Sequence, residues 1–110
     1  MFQKTGDWRV DINQKFLKGN PTTDLRIALL KEETEELCEA LSEGTLSDVR
    51  KELCDVLYVT FALAAIYDLD VEADFEVVHQ NNMLKFETGF VGPNGKWLKS
   101  KNHPKVVFND

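Results

Sequence analysis

Residues 51–67 read KELCDVLYVTFALAAIY, a charged start that gives way at Val56 to an almost wholly apolar run ending at Tyr67. About a dozen apolar residues are too few for a bilayer, which takes around twenty, so the run predicts a helix buried on most sides. In a chain of 110 residues, such a helix points to a subunit interface. The segment as a whole runs from Ser47 to Asp70. Ser47 and Asp48 suit its start, although Ser47 with Arg50 makes no capping box. At about 100° per residue from Glu52, Val56, Val59, Leu63 and Ile66 all fall within about 40°. Glu52 therefore sits in an apolar row, and Asp55 lies about 60° away beside Ala62 and Ile66.

The preceding segment poses the same question more sharply, since KEETEELCEAL at 31–41 places five glutamates in the eight positions from Glu32 to Glu39. Like charges three or four apart on a helix repel by a few tenths of a kcal/mol per pair. With Glu33 at zero, Leu29, Leu30, Leu37, Ala40 and Leu41 fall within roughly 80°, so Glu33 belongs to the apolar stripe. Glu36 comes about 60° to one side, while Glu32, Glu35 and Glu39 fall on the far face, where water solvates them. Thr23 or Asp24 is the expected cap of this helix, and its stop is expected at Glu43 and Gly44.

Around these two helices the chain reads as a first short helix from Asp7 to about Leu17, ended by KGNPTT, and a fourth from Val71 or Glu72 to Phe86. On the fourth, Phe75, Val78 and Met83 or Leu84 are available for packing. ETGFVGPNGKWLKSKNHPKVVFND then changes character and predicts a loop-rich arm with a short hairpin around PNGK. The expected fold is all-α, a bundle of about four helices with that arm, and residues 1–110 are expected to form a single domain.

Composition narrows the function. Thirteen basic and nineteen acidic side chains leave a net charge of -6, which argues against a broad nucleic-acid footprint. The opening MFQKTGDWRVDINQKF has no apolar stretch of about seven residues, so no secretory signal is expected and a cytoplasmic location is the default. Cys38 and Cys54 show neither CxxC nor Cys/His spacing and are expected to be small buried hydrophobes.

Two helices thus each carry an acid pair at i and i+3 that projects toward packed surface. Four carboxylates desolvated together need a counter-charge, since an unpaired buried charge costs several kcal/mol. A hard divalent cation, magnesium above all, is one solution, because it takes oxygen ligands and leaves positions for substrate phosphates. Salt bridges to Arg26, Arg50 or Lys51 are the other.

Glu33-x-x-Glu36, fifteen intervening residues, then Glu52-x-x-Asp55 resembles the ExxE…ExxD signature of the all-α nucleotide pyrophosphohydrolases, the MazG-like and phosphoribosyl-ATP pyrophosphohydrolase-like proteins together with dimeric dUTPases. LRIALLKEETEELCEAL, KELCDVLYV, VHQNNMLKF and GKWLKS are similar to runs around that signature, so the likeness covers roughly residues 10 to 103. The resemblance implies that Glu33, Glu36, Glu52 and Asp55 bind Mg2+, and that Asn82 and Lys85 approach the substrate phosphates. Where relatives often have histidine in the first helix this chain has Asn13, and its tail reads NHPKVVF where they end proline-rich, so both positions bear on the base preferred.

The implied activity is hydrolysis of nucleoside triphosphates, ribo or deoxy, to monophosphate and pyrophosphate, in nucleotide-pool house-cleaning. Glu36, at the stripe's border, is the acid expected to orient the attacking water. Lys85, Lys96 and Lys99 lie on or near the arm of an acidic chain and are the cations expected to meet phosphate. Trp8 and Trp97 either stack a base or serve core and interface, and His79 and His103 have no matching partners. The expected assembly is a homodimer or homotetramer, with no nucleic acid and no membrane as partner. Two alternatives stand beside this one: phosphoribosyl-ATP as the substrate, and a non-catalytic helical dimer whose acids are salt-bridged.

Overall fold

A computed structural model describes residues 8–19 and 21–109, with the side chains at 13, 16 and 17 outside the description. The described residues form four helices and a two-stranded sheet: α1 Trp8–Gly19, α2 Thr23–Glu43, α3 Leu46–Ile66, α4 Val71–Thr88, β1 Phe90–Val91 and β2 Trp97–Leu98. The fold is all-α. The chain divides into two compact units, residues 1–69 and 70–110.

In the first unit α3 is the central element and packs against both α1 and α2. Its buried residues are small, Ala62 and Ala64 on opposite sides of the helix, and with Ala40 of α2 and Ile12 of α1 they are the buried hydrophobic residues among those described. Small side chains let helix backbones approach closely and leave few voids. Trp8 closes this core from the side of α1, its ring 4.9 Å from that of Phe61 and tilted by 41°. Trp8 is thus a packing residue. The predicted first helix begins at Asp7, outside the described residues, and it continues two residues past the expected Leu17, through Lys18 to Gly19.

Capping explains the helix boundaries and corrects three expectations. Thr22, rather than Thr23 or Asp24, caps α2, its hydroxyl accepting from the Leu25 amide at 3.2 Å. Ser47 does not open α3. Thr45 does, through a reciprocal box in which its hydroxyl accepts from the Asp48 amide and the Asp48 carboxylate accepts from the Thr45 amide at 2.9 Å. The helix ends at Ile66, short of the expected Asp70. The Leu69 amide donates to the Ala64 carbonyl and that of Asp68 to Ala65, with Asp68 at φ 52°. This is a Schellman stop, with aspartate in the left-handed place usually given to glycine.

Several side chains expected inside lie at the surface. Leu41 is 66% exposed, about 100° round the helix from the buried Ala40 and at the edge of the apolar stripe. Phe75 is 68% exposed on α4, while Val78 and Leu84 are half-buried. Cys38 and Cys54 are exposed free thiols, against expectation. The helical step accounts for this, since it sets Cys38 about 140° from Glu33 and Cys54 about 160° from Glu52. Nor is α3 buried all round: Leu53, Leu57 and Tyr58 keep nearly half their surface.

The second unit holds α4, capped by Asp70, and the arm. The predicted hairpin forms, with Phe90 opposite Leu98 and Val91 opposite Trp97 in antiparallel register. Gly95 turns it at φ 84°, a conformation costly for any residue with a Cβ. Trp97 packs edge-on against Phe86 of α4, with ring centroids 5.4 Å apart. Farther along, the Asn81 amide nitrogen donates to the Pro104 carbonyl at 3.0 Å, which leaves its Oδ1 to accept from His103 Nε2 at 2.7 Å. The arm is therefore tied back onto its own helix. Among the described residues no helix is long and apolar enough to cross a membrane.

Candidate functional site

The turn between α2 and α3 sets the geometry of the acids. Only Gly44 and Thr45 separate the helices, which therefore run back along each other as a helical hairpin. Gly44 is required by close approach: a Cβ there would stand 2.8 Å from the Ala40 carbonyl oxygen and 2.9 Å from its Cα. From this hinge, Glu36 stands eight residues back and Glu52 eight forward, while Glu33 and Asp55 stand eleven back and eleven forward. At 1.5 Å of rise per residue the pairs lie at matching heights, about 12 Å and 16 Å from the turn. Helical periodicity already turns all four toward the seam, so they converge.

Each of these four offers one carboxylate oxygen within 4.8 Å of the others, and all four side chains are half-buried. Glu32, Glu35 and Glu39 are exposed, as the wheel predicts. Beside the cluster, on its turn side, lies an open groove of about 270 Å³ lined by Glu36, Glu39, Ala40, Glu43, Gly44, Asp48 and Glu52. Sequence reading placed Glu39 on the solvated face, which its exposure bears out, and took Glu43 and Asp48 only as helix-boundary residues, so none was linked to a groove. Their nearness to the hinge glycine was the signal available.

Two oxygens of the clustered acids, Glu33 Oε2 and Glu52 Oε2, are sealed from solvent and accept no hydrogen bond among the described residues. The Glu33 carboxyl is held above its ordinary range, first by loss of hydration and then by the negative charges of Glu36 and Asp55. A side-chain hydrogen bond with Glu36 and the charge of Glu32 push the same way. Lys51 is the counter-charge the helix supplies, its ammonium 2.6 Å from Asp55 Oδ2 and 3.4 Å from Glu52 Oε1. Its hydrogen bond and attraction to Asp55, followed by those to Glu52, raise the lysine above its usual value. Of the three basic residues expected to bridge the acids, Arg26 is engaged elsewhere. It donates to the Tyr67 hydroxyl at 3.4 Å and lies 5.5 Å over that ring, pinning α2 to the far end of α3.

The donor set is what a hard divalent cation prefers, since it consists of carboxylate oxygens alone, and two of its residues, Glu33 and Glu52, each carry a buried oxygen without a donor among the described residues. Oxygens opposite one another across an octahedral magnesium stand about 4.2 Å apart, and across calcium about 4.8 Å. A spread of at most 4.8 Å is of the same size as either ion's coordination shell.

Four of the remaining candidates belong to the second unit. Lys85 is half-buried in the last turn of α4 with its ammonium 5.6 Å over the Phe86 ring, while Asn82, Lys96 and Lys99 are exposed. The side chain of Asn13 lies outside the described residues.

The sequence profile of the phosphoribosyl-ATP pyrophosphohydrolase family matches residues 4–82, a span that contains both acid pairs. An uncharacterized protein of Acanthamoeba polyphaga mimivirus is similar at 30% identity over 79 residues, 69% of this chain and 32% of that protein. The chain thus spans about a third of that relative's length. No solved structure matches it. With the profile covering well over half of its residues, the chain belongs to the phosphoribosyl-ATP pyrophosphohydrolase family.

Proposed function

We propose that this chain hydrolyses nucleoside triphosphates, NTP or dNTP, to the monophosphate and pyrophosphate with Mg2+, as a nucleotide-pool house-cleaning enzyme. Family membership supports pyrophosphohydrolase activity in general, and the observation that carries the finer reading is the convergence of Glu33, Glu36, Glu52 and Asp55. These four side chains would hold the cation. When bound, the cation neutralises polyphosphate charge and makes a coordinated water more acidic. An acidic groove repels a bare triphosphate, so the substrate enters as its cation complex.

Glu36 borders both the cluster and the open groove, which suits it to orient a water toward the reacting phosphorus and take its proton. Glu33 and Glu52, each with a sealed oxygen, suit fixed ligands better. Lys85, Lys96 and Lys99, with Asn82 and Asn13, are assigned to the substrate on their chemistry, as donors to phosphate or base. In this reading residues 1–110 act as a single domain in the cytoplasm. The half-exposed apolar residues Leu53, Leu57 and Tyr58 on α3 are what a second copy would cover in a homodimer or homotetramer.

Phosphoribosyl-ATP is the second substrate reading, and the family match itself favours it. The ion pairs of Lys51 are the observation on the side of a non-catalytic helical dimer. A panel of ribo- and deoxyribonucleoside triphosphates and phosphoribosyl-ATP, compared by kcat/KM, separates these. The proposal expects a nucleoside triphosphate to lead by tenfold or more; the reverse ranking assigns the chain to phosphoribosyl-ATP, and no turnover of any of them leaves the binding protein.

A further inference from the structure

Lys51 touches two of the four clustered acids without belonging to the cluster. Its side chain is 67% exposed, whereas those of Glu52 and Asp55 are 17% and 34% exposed, so the ammonium reaches the acids from the solvent side on a flexible stem. It precedes Asp55 by four residues on α3, and a lysine N-terminal to its acid is the weaker order for a helical pair. Exposed ion pairs of this kind contribute little and are screened by salt. With its ammonium 2.6 Å from Asp55 Oδ2 and 3.4 Å from Glu52 Oε1, the lysine holds two of the side chains that would hold a cation in the cluster, and an ammonium beside a dication is repelled. Lysine and divalent cation therefore compete for Asp55 and Glu52.

We propose that Lys51 is a displaceable counter-cation that competes with the divalent cation for Asp55 and Glu52 and so sets how tightly the metal is held. The inference rests on the reading of the four acids as a metal site. In the metal-free protein the lysine offsets part of the mutual repulsion of the acids. Entry of the metal releases it, and the affinity measured is the difference between the two states. Lys51 is thus a positioning residue, acting on the metal through its ligands.

The test is calorimetric titration of Mg2+ into the wild type, Lys51→Met and Glu33→Gln at low ionic strength. Lys51→Met, a change at an exposed side chain, should bind about two- to fivefold more tightly than the wild type. Glu33→Gln should bind at least about tenfold more weakly, since losses in the outer shell alone cost that much. If the wild type binds Mg2+ and Lys51→Met binds it equally or less well, the lysine's role is overturned and the metal site stands. If neither binds, the metal site falls and the proposal with it. An independent readout is amine labelling followed by mass spectrometry. Mg2+ should accelerate modification of Lys51 relative to Lys31 in the wild type, and an unchanged ratio overturns the competition.

Discussion

Replacing Glu33 by glutamine removes one charged oxygen from the cluster while keeping the side chain's volume. In the wild type the four donor oxygens already lie within 4.8 Å of one another, close to the roughly 4.2 Å across an octahedral magnesium, so binding needs side-chain adjustment alone. With no refolding to drive, the binding free energy appears as stabilisation of the folded state, about 2.7 kcal/mol at a hundredfold excess of cation over Kd. In a domain of this size that raises Tm by roughly 10 °C. A tenfold loss of affinity in Glu33→Gln reduces the gain at the same Mg2+ concentration to about half. Thermal unfolding near neutral pH, with Mg2+ titrated against a chelator reference, measures the gain in both proteins. Equal gains would refute the placement of Glu33 among the ligands.

The raised Glu33 carboxyl makes a second prediction. The folded state binds more protons than the unfolded one, so the contribution of Glu33 is fully present below its ordinary value of 4.5 and is lost as pH rises through the raised value. Cation-free wild type should show this falling limb in a profile of Tm against pH, and Glu33→Gln should lack it; parallel profiles would contradict the assignment. Gly44→Ala forces a Cβ against the Ala40 backbone and should cost about 1–3 kcal/mol, read as a lower urea midpoint. An unchanged midpoint would show that the hinge tolerates a side chain. Cys38, exposed on α2, should react with a thiol reagent in the folded protein without denaturant, whereas Cys54, on the α3 face of Leu57 and Tyr58 that a second copy would cover, should be protected in the assembled protein; equal reaction of the two would contradict that interface.

What could be read from the residues alone was whatever helical periodicity controls. The wheel placed Glu33 and Glu52 in the apolar stripe and Glu36 and Asp55 at its border, and the structure brings all four together. Boundaries were less legible, because adjacent residues compete to cap: Ser47 is a good cap by type, yet Thr45 wins because Asp48 stands three residues after it. Cys38 and Cys54 were misplaced by an argument from residue type that the wheel itself opposed. Lys51 could not be singled out from Arg26 and Arg50, since which cation reaches an acid depends on side-chain reach and on competing partners such as Tyr67. The groove depends on where α2 stops and α3 turns back, which the buried stripe does not encode.

The most direct test of the account is product identity. Wild type and Glu52→Gln should be incubated with a nucleoside triphosphate, with and without Mg2+, and the release of pyrophosphate measured against orthophosphate. The account predicts Mg2+-dependent pyrophosphate and monophosphate from the wild type and neither from Glu52→Gln. Orthophosphate as the product, or pyrophosphate released equally by the variant, would contradict it.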